Sequence, residues 1–282
     1  MRQGTSRFTL RAAYYDGVRA LRLPALVRRW RDAGVVLCYH NVLPPRNADH
    51  LGEPAVHLAV EAFTEQIRWL AHRYDIVSLG EMVQRLSSGR LLRGLAALTF
   101  DDGYDGVFTQ AWPVLHQLRL PATVFVVSDR PDRQEAFWWD RPPPDASSSA
   151  RLPRSHRPAG WDSIRAAARD GLDIGVHTAT HASVTQLHDA ELEREVVASR
   201  DTVREKTGAS AEFFAYPYGL WNARARDAVH AVGYRGAVTL DYGLVTGRAD
   251  PWALRRINIP AGISLPAFEA WVAGLHPRQG RS

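Results

Sequence analysis

Leu95-Ala96-Ala97-Leu98-Thr99-Phe100-Asp101-Asp102-Gly103-Tyr104 is the stretch that sets the reading of this chain. A run suited to a buried strand stops at two adjacent carboxylates and a turn-forming glycine. A second strand-like run, Leu172-Asp173-Ile174-Gly175-Val176, stops at His177-Thr178-Ala179-Thr180-His181. Residues i and i+4 share a face of a helical turn, so two imidazoles placed just after a strand can point into one space. One carboxylate and two imidazoles make a donor set for a divalent metal, with positions left for water and substrate. The other carboxylate is then free to act as a base. Either motif alone is weak evidence, since Asp-Asp-Gly also makes turns and paired histidines are often structural. Their joint occurrence points to a hydrolytic site.

Working outward, the same cadence repeats. Strand-like runs at Val35–Tyr39, Ile76-Val77, Leu95–Phe100, Ala122–Val127, Leu172–Val176, Glu212–Tyr216 and Gly236–Thr239 are separated by helical patterns. Helices are expected near 63–70, 81–86, 107–118, 164–168, 190–207, 223–232 and 266–273, with a polar loop over 43–56. Strands alternating with helices imply parallel pairing, as a barrel or as an open doubly wound sheet. Both place chemistry at the carboxyl ends of strands. His40, Asp101-Asp102, His177 and Pro217-Tyr218-Gly219 each follow such a run.

The chain of 282 residues is 45% hydrophobic and 10% aromatic, enough for a sizeable core. Its net charge of +5 comes almost wholly from arginine, Lys206 being the only lysine. No basic stripe interleaved with aromatics extends beyond the N-terminus, so nucleic acid is not an expected partner. Cys38 is the only cysteine, which excludes an internal disulfide and a cysteine-based zinc site. The first 30 residues lack a secretory apolar core, and no run is long enough to span a bilayer. A cytoplasmic location is therefore expected, either free or membrane-associated. Residues 1–33 form an Arg-rich extension in which Leu10, Tyr14, Val18 and Leu21 recur at helical spacing. It reads either as a helix packed on the domain or as a peripheral contact with an anionic membrane. Residues 34–282 are expected to form the domain that carries the site. Within it, 128–158 reads as an exposed insertion, given Pro142-Pro143-Pro144 and Ser147-Ser148-Ser149. Trp138 and Trp139 in that segment suit the apolar faces of sugar rings, or with Phe137 anchor the loop. His57, His156 and the other scattered histidines show no ligand spacing.

T-F-D-D-G-Y, H-T-x-x-H and F-x-Y-P-Y-G, in this order, resemble the polysaccharide deacetylases, the NodB-homology family 4 carbohydrate esterases. The resemblance covers about residues 34–260. It implies a distorted (β/α) barrel of about seven parallel strands with a helical extension before it. It also implies a metal-dependent hydrolase that removes acetyl groups from N- or O-acetylated sugars. Carried over residue by residue, Asp102, His177 and His181 are the metal ligands and Asp101 the general base. Tyr218 supplies a backbone N–H to the oxyanion, and Tyr104 and Pro217 join Trp138 and Trp139 beside the substrate. Zinc is the default metal, with cobalt, nickel or iron also suited to nitrogen and oxygen donors.

Two departures from the family pattern matter. Its late L-x-x-H motif is replaced by Leu37-Cys38-Tyr39-His40 near the start, similar to the circularly permuted poly-N-acetylglucosamine deacetylase branch. His40 is accordingly the expected general acid, with His276 as rival. The arginine usual before Pro-Tyr-Gly is absent, and Arg256 is the candidate to orient Asp101 from a neighbouring strand. Other readings of the same residues are an O-acetyl esterase, a non-sugar amidase, a glycan-binding protein without catalysis, and a non-haem iron oxygenase.

Overall fold

The computed structural model describes residues 3–44, 53–140 and 152–276. Seven parallel strands close a barrel in chain order: β1 (Ala33–Tyr39), β2 (Leu95–Phe100), β3 (Thr123–Val126), β4 (Asp173–Val176), β5 (Phe213–Ala215), β6 (Gly236–Tyr242) and β7 (Leu254–Asn258). β1 seals the ring, pairing with β7 on one side and, from Val35 to Tyr39, with Ala96 to Phe100 of β2 on the other. The barrel, not the open sheet, is thus the architecture. The short Ile76-Val77 run gives only a two-residue strand, Asp75–Ile76, on the edge of β2. The seventh barrel strand is β7, which carries Arg256.

Period-two alternation divides the strand residues between two cores. Val36, Ala97, Phe125, Phe213, Ala215, Val238 and Leu254 pack with Met82, Val83 and Leu86 of the helix Leu79–Ser87, which plugs the amino-terminal end of the barrel. Val35, Leu37, Tyr39, Leu98, Phe100, Val124 and Ile174 belong to the larger core under the surrounding helices. Gly175 is required by this interior, because a Cβ there would lie 2.5 Å from the Phe125 ring and 3.0 Å from the Phe213 carbonyl oxygen.

The N-terminal extension forms two helices, Gln3–Ala20 and Leu23–Trp30. The first packs on the last helix, Leu265–Val272, through a face that keeps Val18 of the expected stripe but takes Tyr15 in place of Tyr14. Tyr15 and Val18 are buried with Ala267 and Ala270, while Tyr14 and Leu21 are exposed. The Tyr15 hydroxyl accepts a 2.7 Å hydrogen bond from Trp271 Nε1, which fixes this register. The Leu10 side chain, the Pro142–Pro144 and Ser147–Ser149 runs and the middle of the 43–56 loop lie outside the described residues. Among those described, no helix is long and apolar enough to cross a membrane.

Candidate active site

The carboxyl ends of the barrel strands converge on a cavity of about 240 Å³ lined by His40, Asp101, Asp102, Trp138, Trp139, His177, His181 and Tyr218. Eight of the eleven residues expected at the site meet here. Arg256 lies fully buried behind Asp101, Tyr104 is fully buried, and Pro217 is buried beside Tyr218.

Asp101 and Arg256 form the base of the site. Arg256 rises from β7 inside the barrel, next to a register irregularity between β6 and β7. Its Nη1 and Nη2 donate to the two Asp101 oxygens at 2.7 Å each, and its Nε donates to the Thr239 carbonyl at 2.8 Å. Two parallel charge-assisted bonds fix the carboxylate plane. Burial alone pushes the Asp101 carboxyl up, but Arg256, then His177 and His40, hold it well below the usual carboxylate range. Asp101 is therefore ionised at neutral pH. Cys38, His40 and Asp101 also cluster, but the guanidinium already engages both carboxylate oxygens, which disfavours a cation there. Burial pushes the Cys38 thiol up, leaving it a protonated donor to Asp101 Oδ2 at 3.4 Å.

Asp102 turns the opposite way. Its Oδ1 lies 3.5 Å from Nε2 of both His177 and His181. Two ligands at ~2.1 Å on a tetrahedral metal stand about 3.4 Å apart, so this spacing fits a divalent cation. The His177 Nδ1–H donates to the Ala215 carbonyl at 2.8 Å, which directs the Nε2 lone pair at the site. Burial lowers both imidazoles, that of His181 to about 2, so both are neutral. Burial, then the charges of Asp101 and Asp140, push the Asp102 carboxyl up. A divalent cation held there would offset those effects. His181 Nδ1 is buried without a hydrogen-bond partner in the described structure; its ring sits against Trp139 at 4.8 Å and Tyr218 at 4.6 Å between centroids.

The backbone here is strained. Of eight non-glycine residues with positive φ among those described, four are Asp102 (71°), Thr178 (64°), His181 (70°) and Tyr218 (58°). Such conformations persist only where surroundings enforce them. For the histidine loop that enforcement comes from Glu195, a buried residue in the π-helical turn Arg194–Ala198. Its carboxylate accepts from the Ala179 and Thr180 backbone N–H groups at 2.8 and 2.9 Å and from the Thr180 hydroxyl at 2.9 Å. The Thr178 hydroxyl accepts from the His181 N–H at 3.0 Å. For Tyr218, the following Gly219 (φ 68°) lies so close to β6 that a Cβ would be 2.4 Å from the Leu240 backbone nitrogen.

Sequence reasoning missed a second polar layer. Tyr104 stands behind the cavity wall as a support. Its hydroxyl donates to buried Asp140 at 2.5 Å and accepts from Trp139 Nε1 at 2.7 Å. Asp140 also accepts from the Glu53 N–H at 2.8 Å and pairs with His57 Nε2 at 2.9 Å; Asn41 meets His57 Nδ1 at 3.0 Å. His57 and Asp140 thus clamp the 53–57 segment to the tryptophan segment. In that segment Phe137 is buried and stacked on Trp139 at 4.6 Å, while Trp138 is 62% exposed. Anchoring and cavity lining fall to different rings of one motif. His276 lies elsewhere, against Tyr242 and Trp271, whereas His40 lines the cavity.

A family model for polysaccharide deacetylase matches residues 89–237. The chain belongs to the polysaccharide deacetylase family. Members related to it include YxkH of Bacillus subtilis, 23% identical over 63% of this chain and 56% of that one. The poly-beta-1,6-N-acetyl-D-glucosamine N-deacetylase of Staphylococcus aureus is 21% identical over 70% of this chain and 66% of its own length. The chain thus spans less than two thirds of either relative. Among solved structures, the Streptococcus pyogenes deacetylase PplD, in complex with acetate, shares 20% identity with a TM-score of 0.67, covering 87% of this chain and 99% of that one. A de-N-acetylase from Aggregatibacter actinomycetemcomitans gives 0.68 at 20% identity, covering 85% and 100%. The deacetylase barrel is common to all three folds. Here the strand that leads into His40 comes first in the chain and closes the ring between β7 and β2.

Proposed function

We propose that this polysaccharide deacetylase is a metal-dependent N-deacetylase acting on an acetylated amino sugar in a glycan or glycoconjugate. One observation carries the reading: an aspartate kept ionised by a buried arginine faces the same cavity as a three-donor set of one carboxylate and two neutral imidazoles. A divalent metal held by Asp102, His177 and His181, zinc by default, supplies Lewis acidity that makes water nucleophilic near neutral pH and polarises the acyl carbonyl. Asp101 takes a proton from the attacking water as the C–O bond forms. The Tyr218 backbone N–H, presented by its left-handed turn, is assigned to the developing oxyanion. His40 delivers a proton to the leaving nitrogen as the C–N bond breaks, giving acetate and a free amine. Burial lowers the His40 imidazole to about 4 against the pull of Asp101, so it rests neutral near pH 7. It acquires its proton during turnover, and Asp101 is the near source: their donor atoms lie within 4.8 Å. Trp138 and Trp139 offer apolar faces for the sugar ring.

The test is acetate release from a panel of N-acetylated and O-acetylated saccharides by the metal-reconstituted protein. Release from an N-acetylated saccharide supports the proposal. Release confined to O-acetyl groups makes the chain an esterase, and saccharide binding without acetate makes it a glycan-binding protein.

A further inference from the structure

The positive charge of the chain is concentrated in one place. Residues 1–32 contain eight arginines and two aspartates, so with a total of +5 the remaining 250 residues carry one net negative charge. The two helices of this extension pack by one side on the last helix and turn the other outward. Leu21 is 72% exposed, Leu26 54% and Trp30 74%. Leu26 and Trp30, four apart in one helix, share a face. Beside them Arg22, Arg28, Arg29 and Arg93 line an open groove of about 730 Å³. Arg93 Nη1 donates to the Arg29 carbonyl at 3.1 Å, and Arg28 lies over the Tyr74 ring, so the groove is held together by its own side chains. Asp32 does not neutralise it directly, because its Oδ1 accepts from the Leu92 and Arg93 backbone N–H groups.

Guanidinium groups beside exposed leucines and a tryptophan match the boundary between headgroups and acyl chains. A nucleic-acid groove instead interleaves its cations with stacking aromatics, and here the apolar residues are mainly aliphatic. We propose that this face docks on a lipid bilayer bearing anionic headgroups. Arg93 and Gly94 immediately precede β2, and Trp30 lies just before β1, so the face belongs to the amino-terminal end of the barrel. The cavity opens at the other end. A docked molecule therefore presents its cavity away from the bilayer, by roughly 20 Å for strands of this length.

Co-sedimentation of the full chain with phosphatidylcholine vesicles, with and without phosphatidylglycerol, tests this. Retention is expected only with phosphatidylglycerol and is expected to fall as salt is raised. Arg22→Gln with Arg29→Gln should weaken it about twenty-five-fold, at about fivefold for each arginine. Leu26→Ser with Trp30→Ser should also weaken it at unchanged charge. All four residues lie on the surface of the extension, and unchanged thermal unfolding of the variants confirms that they fold. Equal retention on neutral vesicles, unchanged retention by both double variants, or capture of a DNA duplex in place of vesicles would each overturn the proposal.

Discussion

Arg256→Gln should separate structural from chemical support at the site. Arg256 is fully buried, Asp101 is 2% exposed, and the two contacts between them are 2.7 Å each. Removing one partner of a buried ion pair leaves an uncompensated charge, at a cost of about 3–5 kcal/mol. At ~2–4 °C per kcal/mol for a chain of this size, Tm should fall by roughly 6–20 °C. The sign of the pH dependence follows from the depressed Asp101 carboxyl. Its stabilisation is complete above the ordinary carboxylate range and is lost as pH falls through that range toward the depressed value. The gap between wild type and Arg256→Gln should therefore narrow on acidification. In activity, loss of the guanidinium lets burial raise the Asp101 carboxyl, so the acidic limb of the pH–rate profile should move to higher pH. Thermal unfolding of wild type, Arg256→Gln, Asp101→Asn and the double variant forms the decisive cycle. The double variant should lose less than the sum of the singles, by about 0.5–3 kcal/mol. Additive losses, with an unmoved acidic limb, would refute the pairing argument.

Three further outcomes are expected. Glu195→Ala removes the acceptor for three hydrogen bonds that hold the histidine loop, so metal affinity measured by titration calorimetry should drop about 10–100-fold; unchanged affinity would show that the loop holds its strained shape without Glu195. A divalent metal at about a hundred times its Kd should stabilise the chelated protein by about 2.7 kcal/mol, and His181→Gln should reduce that gain in thermal unfolding. Burial, then neighbouring His57, lowers His156 to about 4. A depressed imidazole contributes stability present above its ordinary value near 6.5 and lost as pH falls toward 4. The gap between wild type and His156→Gln in urea midpoint should accordingly shrink between about pH 7 and pH 5, and a gap that widens would contradict this assignment.

Much of the site was legible because its residues stand where strands end. Asp101 and Asp102 follow β2, His177 follows β4 and His40 follows β1, so apolar runs located the groups before any geometry was known. Arg256 was legible only as a candidate, since nothing local to Leu254–Asn258 reveals that its guanidinium crosses the barrel to β2. Glu195 left no local signal at all. It looks like one more charge on an amphipathic helix, and its function depends on a π-helical turn and contacts 15 and 16 residues back. Asp140, Tyr104 and His57 come from three separate segments and meet only after the barrel closes. In the N-terminal stripe Val18 is buried as expected, but Tyr15 replaces Tyr14 because its hydroxyl is held by Trp271, 256 residues away. Periodicity locates an apolar face; the partner selects which ring of an adjacent Tyr14-Tyr15 pair turns inward.

The most direct test of the account is acetate release by metal-reconstituted wild type beside Asp101→Asn, with bound metal quantified in both. The expected result is release by wild type and near-loss in Asp101→Asn with its metal retained, which places the defect in proton transfer and leaves metal binding intact. Equal release by the two proteins would contradict the role of Asp101 and the mechanism built on it.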